Sequence, residues 1–137
     1  MFEISYDTLE VVMFVKSIMT IDAVENMKGI GLKKDGQLIA GCLFEGYNGQ
    51  NVWVHLAAVP TKRWMTKQYL RECFGYAFNT LGVKRLSGYV NASNAEAIRL
   101  DEHFGYKREA VLKGAAADGG DVYSYVMWRE DCRFLGE

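Results

Sequence analysis

The stretch from Arg85 to Lys113 constrains the fold more than any other part of the chain. Arg85-Leu-Ser-Gly-Tyr-Val-Asn91 reads as a strand, Asn94–Phe104 as an amphipathic helix, and Tyr106–Lys113 as a second strand. Asn94 is a natural N-cap, because its side-chain oxygen accepts the N–H of Glu96 or Ala97. Ala97, Leu100 and Phe104 share one helical face with Ile98 nearby, and Gly105 supplies the stop. The same grammar occurs earlier. Asn51–Val59 reads as a strand and Pro60 ends it by removing a backbone donor. Leu70, Cys73, Phe74, Ala77, Phe78 and Leu81 then recur at helical spacing, and Gly82 closes the helix. Two strand-to-helix junctions in one small chain point to a ligand held at helix N-termini.

The rest fills in a sheet. Phe2–Tyr6 alternates as a strand. Asp7 or Thr8 caps a helix running to about Met19, with Leu9, Val12, Met13, Val15 and Ile18 as its apolar set. Ile21–Met27 stays open between helix and loop. Gly29–Lys34, Gln37–Tyr47 and Asn51–Val59 form an antiparallel meander, because Asp35-Gly36 and Asn48-Gly49 are hairpin turns that need positive φ. Asp118-Gly-Gly-Asp121 joins Tyr106–Lys113 to a last strand, Asp121–Glu130. The order β-α-β-β-β-α-β-α-β-β gives an α/β fold with a mixed, mostly antiparallel sheet flanked by helices.

Composition narrows the function classes. At 137 residues, half of them apolar, the chain suits one domain spanning 1–137 with a real core. A formal net charge of −1 argues against general nucleic-acid binding. No apolar run is long enough to span a membrane, and the Met1–Asp7 segment has no basic region of a signal peptide. Cys42, Cys73 and Cys132 are odd in number and far apart, which fits a reducing cytoplasm. They and the histidines His55 and His103 show no metal-ligand spacing.

Three places carry candidate chemistry. Pro60-Thr-Lys-Arg-Trp-Met-Thr-Lys67 is a cationic turn opening a helix, with Arg71 one turn on and no acidic residue from Thr61 to Arg71. Cations there oppose the helix dipole by about 0.3–1 kcal/mol each, a cost that a bound phosphate would reverse. Asn94 can cap its helix and still offer an amide N–H to a ligand. His55 shares a strand face with Trp53, opposite Val52, Val54 and Leu56, and its neutral-range pKa suits a general base as well as a packed strand histidine. Glu45 and Glu109 are lesser base candidates, since strand-end carboxylates are usually just solvated. Cys73 falls on the apolar stripe, and Cys132 has no histidine beside it in sequence. Tyr123, Tyr125 and Trp128 read as ordinary strand aromatics.

Asn94-x-x-Ala97-x-x-Leu100-x-x-x-x-Gly105-Tyr106, followed by Lys107-Arg108-Glu109, resembles the second half of a GNAT-type N-acetyltransferase. Asp121–Arg129 is similar to the closing strand of the ribosomal-protein-acetylating branch, and small phage-encoded GNAT-like proteins are the nearest in kind. The resemblance runs from about Gly29 to Arg129 and implies a GNAT-like acyl-CoA N-acyltransferase fold.

What the resemblance implies is an acetyl-CoA-dependent N-acetyltransferase that acetylates a primary amine by direct transfer. The strand ending at Ala57-Ala58-Val59 would pair with the pantetheine arm of acetyl-CoA. The turn Lys62, Arg63, Trp64, Met65, Thr66 and Lys67 would hold the pyrophosphate, and Asn94 with Ala97 would meet the cofactor near its thioester. His55 is the candidate base, with Glu45 as substitute, and Tyr106 the candidate donor. Met65 and Lys67 stand where the family has glycines. Asp101 stands where many members have a tyrosine acid, and an ionised aspartate is a poor donor. Those departures support an alternative, a non-catalytic binding or structural protein of the same fold. The partners expected are acetyl-CoA and an amine acceptor, protein or small molecule, with a homodimer as candidate assembly. The expected location is the cytoplasm, that of the host if the chain is phage-encoded.

Overall fold

The computed structural model describes residues 1–22, 26–60 and 62–136. Ala23–Glu25, within the open segment Ile21–Met27, and Thr61 of the cationic turn lie outside the described residues. The elements are β1 (Phe2–Ser5), α1 (Thr8–Lys16), β2 (Lys28–Lys34), β3 (Gln37–Glu45), β4 (Asn51–Ala58), α2 (Lys67–Gly75), β5 (Arg85–Asn91), α3 (Ala95–Phe104), β6 (Lys107–Leu112) and β7 (Val122–Trp128). A π-helical segment, Tyr76–Thr80, extends α2, and a short 3-10 turn, Arg129–Asp131, follows β7. Among the described residues seven strands make one sheet in the order β1-β2-β3-β4-β5-β7-β6. Every pairing is antiparallel except β4 with β5.

Of the two expected hairpin turns, Asp35-Gly36 matches the local backbone, whereas Asn48-Gly49 is part of a longer connection, because β3 ends at Glu45 rather than Tyr47 and Asn48 does not take positive φ. Asp35 and Gly36 both take positive φ, at 52° and 84°, as a tight β2–β3 turn requires. Gly49, at φ 93°, lies in a longer β3–β4 connection, where the Asn48 side chain accepts from the N–H groups of Gln50 and Asn51.

The first helix differs from its expectation. It ends at Lys16, with Ser17 as its C-cap, rather than near Met19. Its buried residues are Val11, Val12 and Val15, while Leu9, Met13 and Ile18 of the expected set are exposed. The sheet explains the choice. Gly29 and Gly31 on β2 and Gly41 on β3 leave a floor without side chains, onto which the valines settle.

The main core lies on the other face. Val52, Val54 and Leu56 of β4 point there, as alternation requires, and meet Trp64, Tyr69, Leu70, Phe74, Phe78 and Phe104. The Tyr69 hydroxyl donates to the Ile30 carbonyl at 2.8 Å and ties α2 to β2. The helical stripe continues past α2 as a π turn, with the Leu81 N–H bonded to Tyr76 O. Arg129 donates to the Phe78 carbonyl oxygen in this turn, and at 2.8 Å to Asn79 Oδ1. Gly82, at φ 74°, ends the stripe as expected.

Candidate functional site

β4 and β5 run parallel for three residue pairs only, Asn51 with Arg85, Val52 with Leu86 and Trp53 with Ser87. Beyond them the strands part. β4 stays bonded to β3 on its other edge, down to Ala58 opposite Ala40. Its edge from Val54 onward therefore faces a gap instead of a strand. A cleft of about 1020 Å³ fills that gap, walled by Val54–Ala58 of β4, Gly88–Asn91 of β5, and parts of α2 and α3. In a mixed sheet, a break between parallel neighbours beside helix N-termini is a natural ligand position.

His55 and Glu45 both reach this cleft. They lie on the face of β4 and β3 opposite the aromatic core, and His55 Nε2 donates to Glu45 Oε2. With Nε2 so engaged, Nδ1 is the ring atom left to accept a proton. Both side chains are half-buried, so the pair is neither sealed off nor freely solvated. Beside it the Tyr89 ring stacks on Trp53, with centroids 4.5 Å apart and planes 16° apart. Tyr89 lines the cleft and was not singled out from the sequence. A tyrosine alternating along an ordinary strand carries no signal for that role.

Asn94 is the N-cap of α3, accepting the Ala97 N–H at 3.1 Å. Asn94 and Ala97 both line the cleft. So do Ala57 and Ala58, the end of the splayed strand.

The cationic turn divides. Lys62, Arg63 and Lys67 are exposed and lie outside the cleft wall. Thr66 caps α2 by accepting the Tyr69 N–H at 3.1 Å, so one donor of that helix end is already satisfied. The N–H groups of Lys67 and Gln68, in the first turn, have no carbonyl to meet within the helix. Met65 is exposed and lines the cleft. Trp64 is a buried core residue, edge-on to Tyr69 and Phe104, and it also lines the cleft wall. A large apolar ring inside a run of cations buries itself, because core contacts outweigh its neighbours' charge. Val59, just past the end of β4, donates its N–H to Ile39 O at 2.8 Å and so continues the pairing with the meander.

Two acid–base expectations change. Tyr106 lines the cleft, but it is buried, and burial pushes its phenol well above the usual value, so it holds its proton tightly. Asp101 also lines the cleft. Burial, reinforced by the adjacent Glu102, pushes its carboxyl up to about 7. It is thus protonated in good part near neutrality, contrary to the expectation that it is ionised. The sequence held the signal. Asp101 falls seven residues after Asn94, on the face of Ala97, Leu100 and Phe104, where apolar neighbours raise a carboxyl pKa. Glu109 is remote from this chemistry. It takes both guanidinium nitrogens of Arg85, at 2.7 and 2.6 Å, which holds its carboxyl below the usual range. Cys73 is buried core, as the stripe implied, and all three cysteines are free thiols.

No protein-family profile and no curated protein matches the sequence. Solved structures do match in shape. The spermidine/spermine N-acetyltransferase SpeG from Vibrio cholerae superposes with a TM-score of 0.76 at 11% identity, over 94% of each chain. The N-acetyltransferase PseH from Campylobacter jejuni, solved with acetyl coenzyme A, gives 0.65 at 18% identity, over 94% of this chain and 99% of that one. A protein described as a probable acetyltransferase gives 0.65 at 17% identity over 77% of this chain, which spans only 64% of that chain. The fold, a seven-stranded mixed sheet that splays at its one parallel pair, is that of the GNAT-type acetyltransferases.

Proposed function

We propose that the cleft binds acetyl-CoA and passes its acetyl group directly to a primary amine. The observation that carries this reading is the splay of β4 from β5. It leaves the backbone edge of Val54–Ala58 free to pair with an extended, amide-bearing chain such as the pantetheine arm. Asn94 and Ala97, at the start of α3, would sit beside the thioester end, with the partial positive charge of the helix N-terminus facing it. Lys62, Arg63 and Lys67 would neutralise phosphates at the other end from outside the wall. Acetyl-CoA supplies the activated acyl group. On the opposite sheet face, the His55–Glu45 pair would take the proton from the attacking amine. PseH with acetyl coenzyme A bound, and SpeG acting on spermidine and spermine, support the choice of donor and of an amine acceptor.

The test is calorimetric titration with acetyl-CoA, followed by thermal melting. A ligand at about 100 times its Kd should stabilise the fold by about 2.7 kcal/mol. The absence of both binding heat and a melting shift at millimolar acetyl-CoA would overturn the proposal. One observation favours the second reading, a non-catalytic binding protein. Met65 lines the cleft, and a side chain there limits close backbone approach. That reading expects acetyl-CoA to bind without turnover of any amine in a panel of polyamines, amino sugars and peptides.

A further inference from the structure

Tyrosines 69, 106 and 125 are buried in the core, and two of their hydroxyls are spent on the fold. Tyr69 donates to the Ile30 carbonyl oxygen at 2.8 Å, and Tyr125 to the Glu102 carboxylate at 3.0 Å. Tyr106 is 8% exposed and makes no such bond among the described residues. Among those residues no sealed side-chain oxygen or nitrogen lacks a partner, so the Tyr106 hydroxyl opens onto the cleft that the residue lines. The Cys42 and Cys73 thiols and the Asp101 carboxyl stand around it, and none bonds to it. A hydroxyl nine-tenths buried, facing open space and spent on nothing, has no structural task that the fold reveals.

The cleft around that hydroxyl is wider than an acetyl group requires. Leu86 of β5, Val54 of β4, and Cys42 and Phe44 of β3 all line it, so it passes under three neighbouring strands. Adjacent strands lie about 4.8 Å apart, which makes that floor about 10 Å wide. Cys73 and Phe74 of α2 border it from the helix side. These six side chains are apolar or bear a thiol. A pantetheine arm paired to the edge of Val54–Ala58 would leave the part beneath β3 free. Among the described residues, no lysine or arginine lines the cleft, whereas Asp22, Glu45, Glu96 and Asp101 do. A chain ending in a carboxylate would therefore find no cation to pair with.

We propose that the cleft prefers, over acetyl, an uncharged acyl chain of about four carbons, the reach of one strand spacing, with an oxygen that accepts from the Tyr106 hydroxyl, such as a hydroxybutyryl group. This rests on the acetyl-transfer reading above for the CoA carrier and for direct transfer to an amine. The balance of the step is the same for either chain. The C–S bond breaks, the C–N bond forms, and sulfur gains the proton that the amine nitrogen loses. Burial makes the phenol hold its own proton, so Tyr106 gives a hydrogen bond and takes no part in that exchange. An unsubstituted chain would press carbon against the hydroxyl and leave it unpaired, which cancels what its extra methylenes gain.

Calorimetric titration with CoA, acetyl-CoA, butyryl-CoA, 3-hydroxybutyryl-CoA and succinyl-CoA tests this on the unaltered protein. 3-Hydroxybutyryl-CoA should bind about tenfold more tightly than either acetyl-CoA or butyryl-CoA, and succinyl-CoA no better than acetyl-CoA. In Tyr106→Phe, which keeps the ring and its packing, the gap between 3-hydroxybutyryl-CoA and butyryl-CoA should close. Equal binding of those two thioesters to the unaltered protein, or weaker binding of both than of acetyl-CoA, overturns the proposal and leaves the acetyl-transfer reading standing. So does succinyl-CoA binding more tightly than 3-hydroxybutyryl-CoA. A gap that survives in Tyr106→Phe overturns the part given to Tyr106. No binding of CoA or of any of its thioesters overturns the acetyl-transfer reading itself.

Discussion

The two faces of the sheet are packed by opposite rules. Under α1 the sheet is bare: a Cβ at Gly31 would come within 2.6 Å of Leu38, and one at Gly41 within 2.9 Å of Val15. Helix and strands therefore touch backbone to side chain, and the small cluster of Val11, Val12, Val15, Leu43 and Ala57 fills what remains. Under α2 and α3 the sheet is deep. Rings of Trp64, Tyr69, Phe74, Phe104 and Phe134 meet edge-on or stacked, with centroids between 4.8 and 6.5 Å apart. Large rings hold the helices off the sheet. Where the strands also splay, that spacing becomes a cleft. A glycine floor gives positional certainty, and an aromatic layer gives room.

The deep face should be the more costly to damage. Phe78 is fully buried there, and Phe78→Ala should destabilise by about 3–5 kcal/mol, read by urea unfolding. A loss below about 2 kcal/mol would show that this layer collapses readily and would break the contrast. Asp101 tests the same face through pH. Folding raises its carboxyl from 3.8 to about 7. Between those values the unfolded chain is ionised and the folded chain protonated, so unfolding releases a proton and stability falls as pH rises. The loss is complete above the folded value and is on the order of 4 kcal/mol. Asp101→Asn is therefore expected to unfold at higher urea than the parent at about pH 8, with the advantage shrinking towards about pH 4. An advantage independent of pH would remove burial of this carboxyl as the cause.

Much of this contrast was legible in the sequence, for local reasons. Asp35-Gly36, Gly82, Asn94 and Gly105 act through their own backbone, so the hairpin and both later helix ends could be placed from residue type alone. The stripe from Leu70 to Leu81 announced the deep face. The glycine floor was not legible. Gly29, Gly31 and Gly41 read as strand residues, and only their cross-strand alignment, Gly31 opposite Gly41, turns them into a seat for Val11 and Val15. That is why the wrong apolar set, with Leu9 and Met13, was expected to be buried. The site was half legible. His55, Glu45 and Asn94 could be nominated by chemistry, but that the first two meet depends on the register of β3 with β4. The burial of Trp64 depends on what packs around it, Tyr69 and Phe104, which no spacing encodes.

The shallow face should respond to added volume. Gly41→Val would press a branched side chain on Val15, Val11 and Phe14 and should cost about 1–3 kcal/mol. The same variant should leave acetyl-CoA affinity unchanged if the faces are as separate as their packing suggests. A parallel loss of affinity would mean that α1 positions the splayed strand.

The finest test uses the caps, which are alike in energy and unlike in place. Asp7 caps α1 by accepting the Glu10 N–H at 3.2 Å, and Asn94 caps α3 by accepting the Ala97 N–H at 3.1 Å. Either residue replaced by alanine should cost about 1 kcal/mol of stability. Only Asn94→Ala should also weaken acetyl-CoA, because only Asn94 borders the cleft. Matched melting temperatures with a selective rise in Kd for Asn94→Ala would separate capping from ligand contact. Equal affinities in both variants would reduce Asn94 to a helix cap, and the deep face would then meet its ligand through the splayed backbone alone.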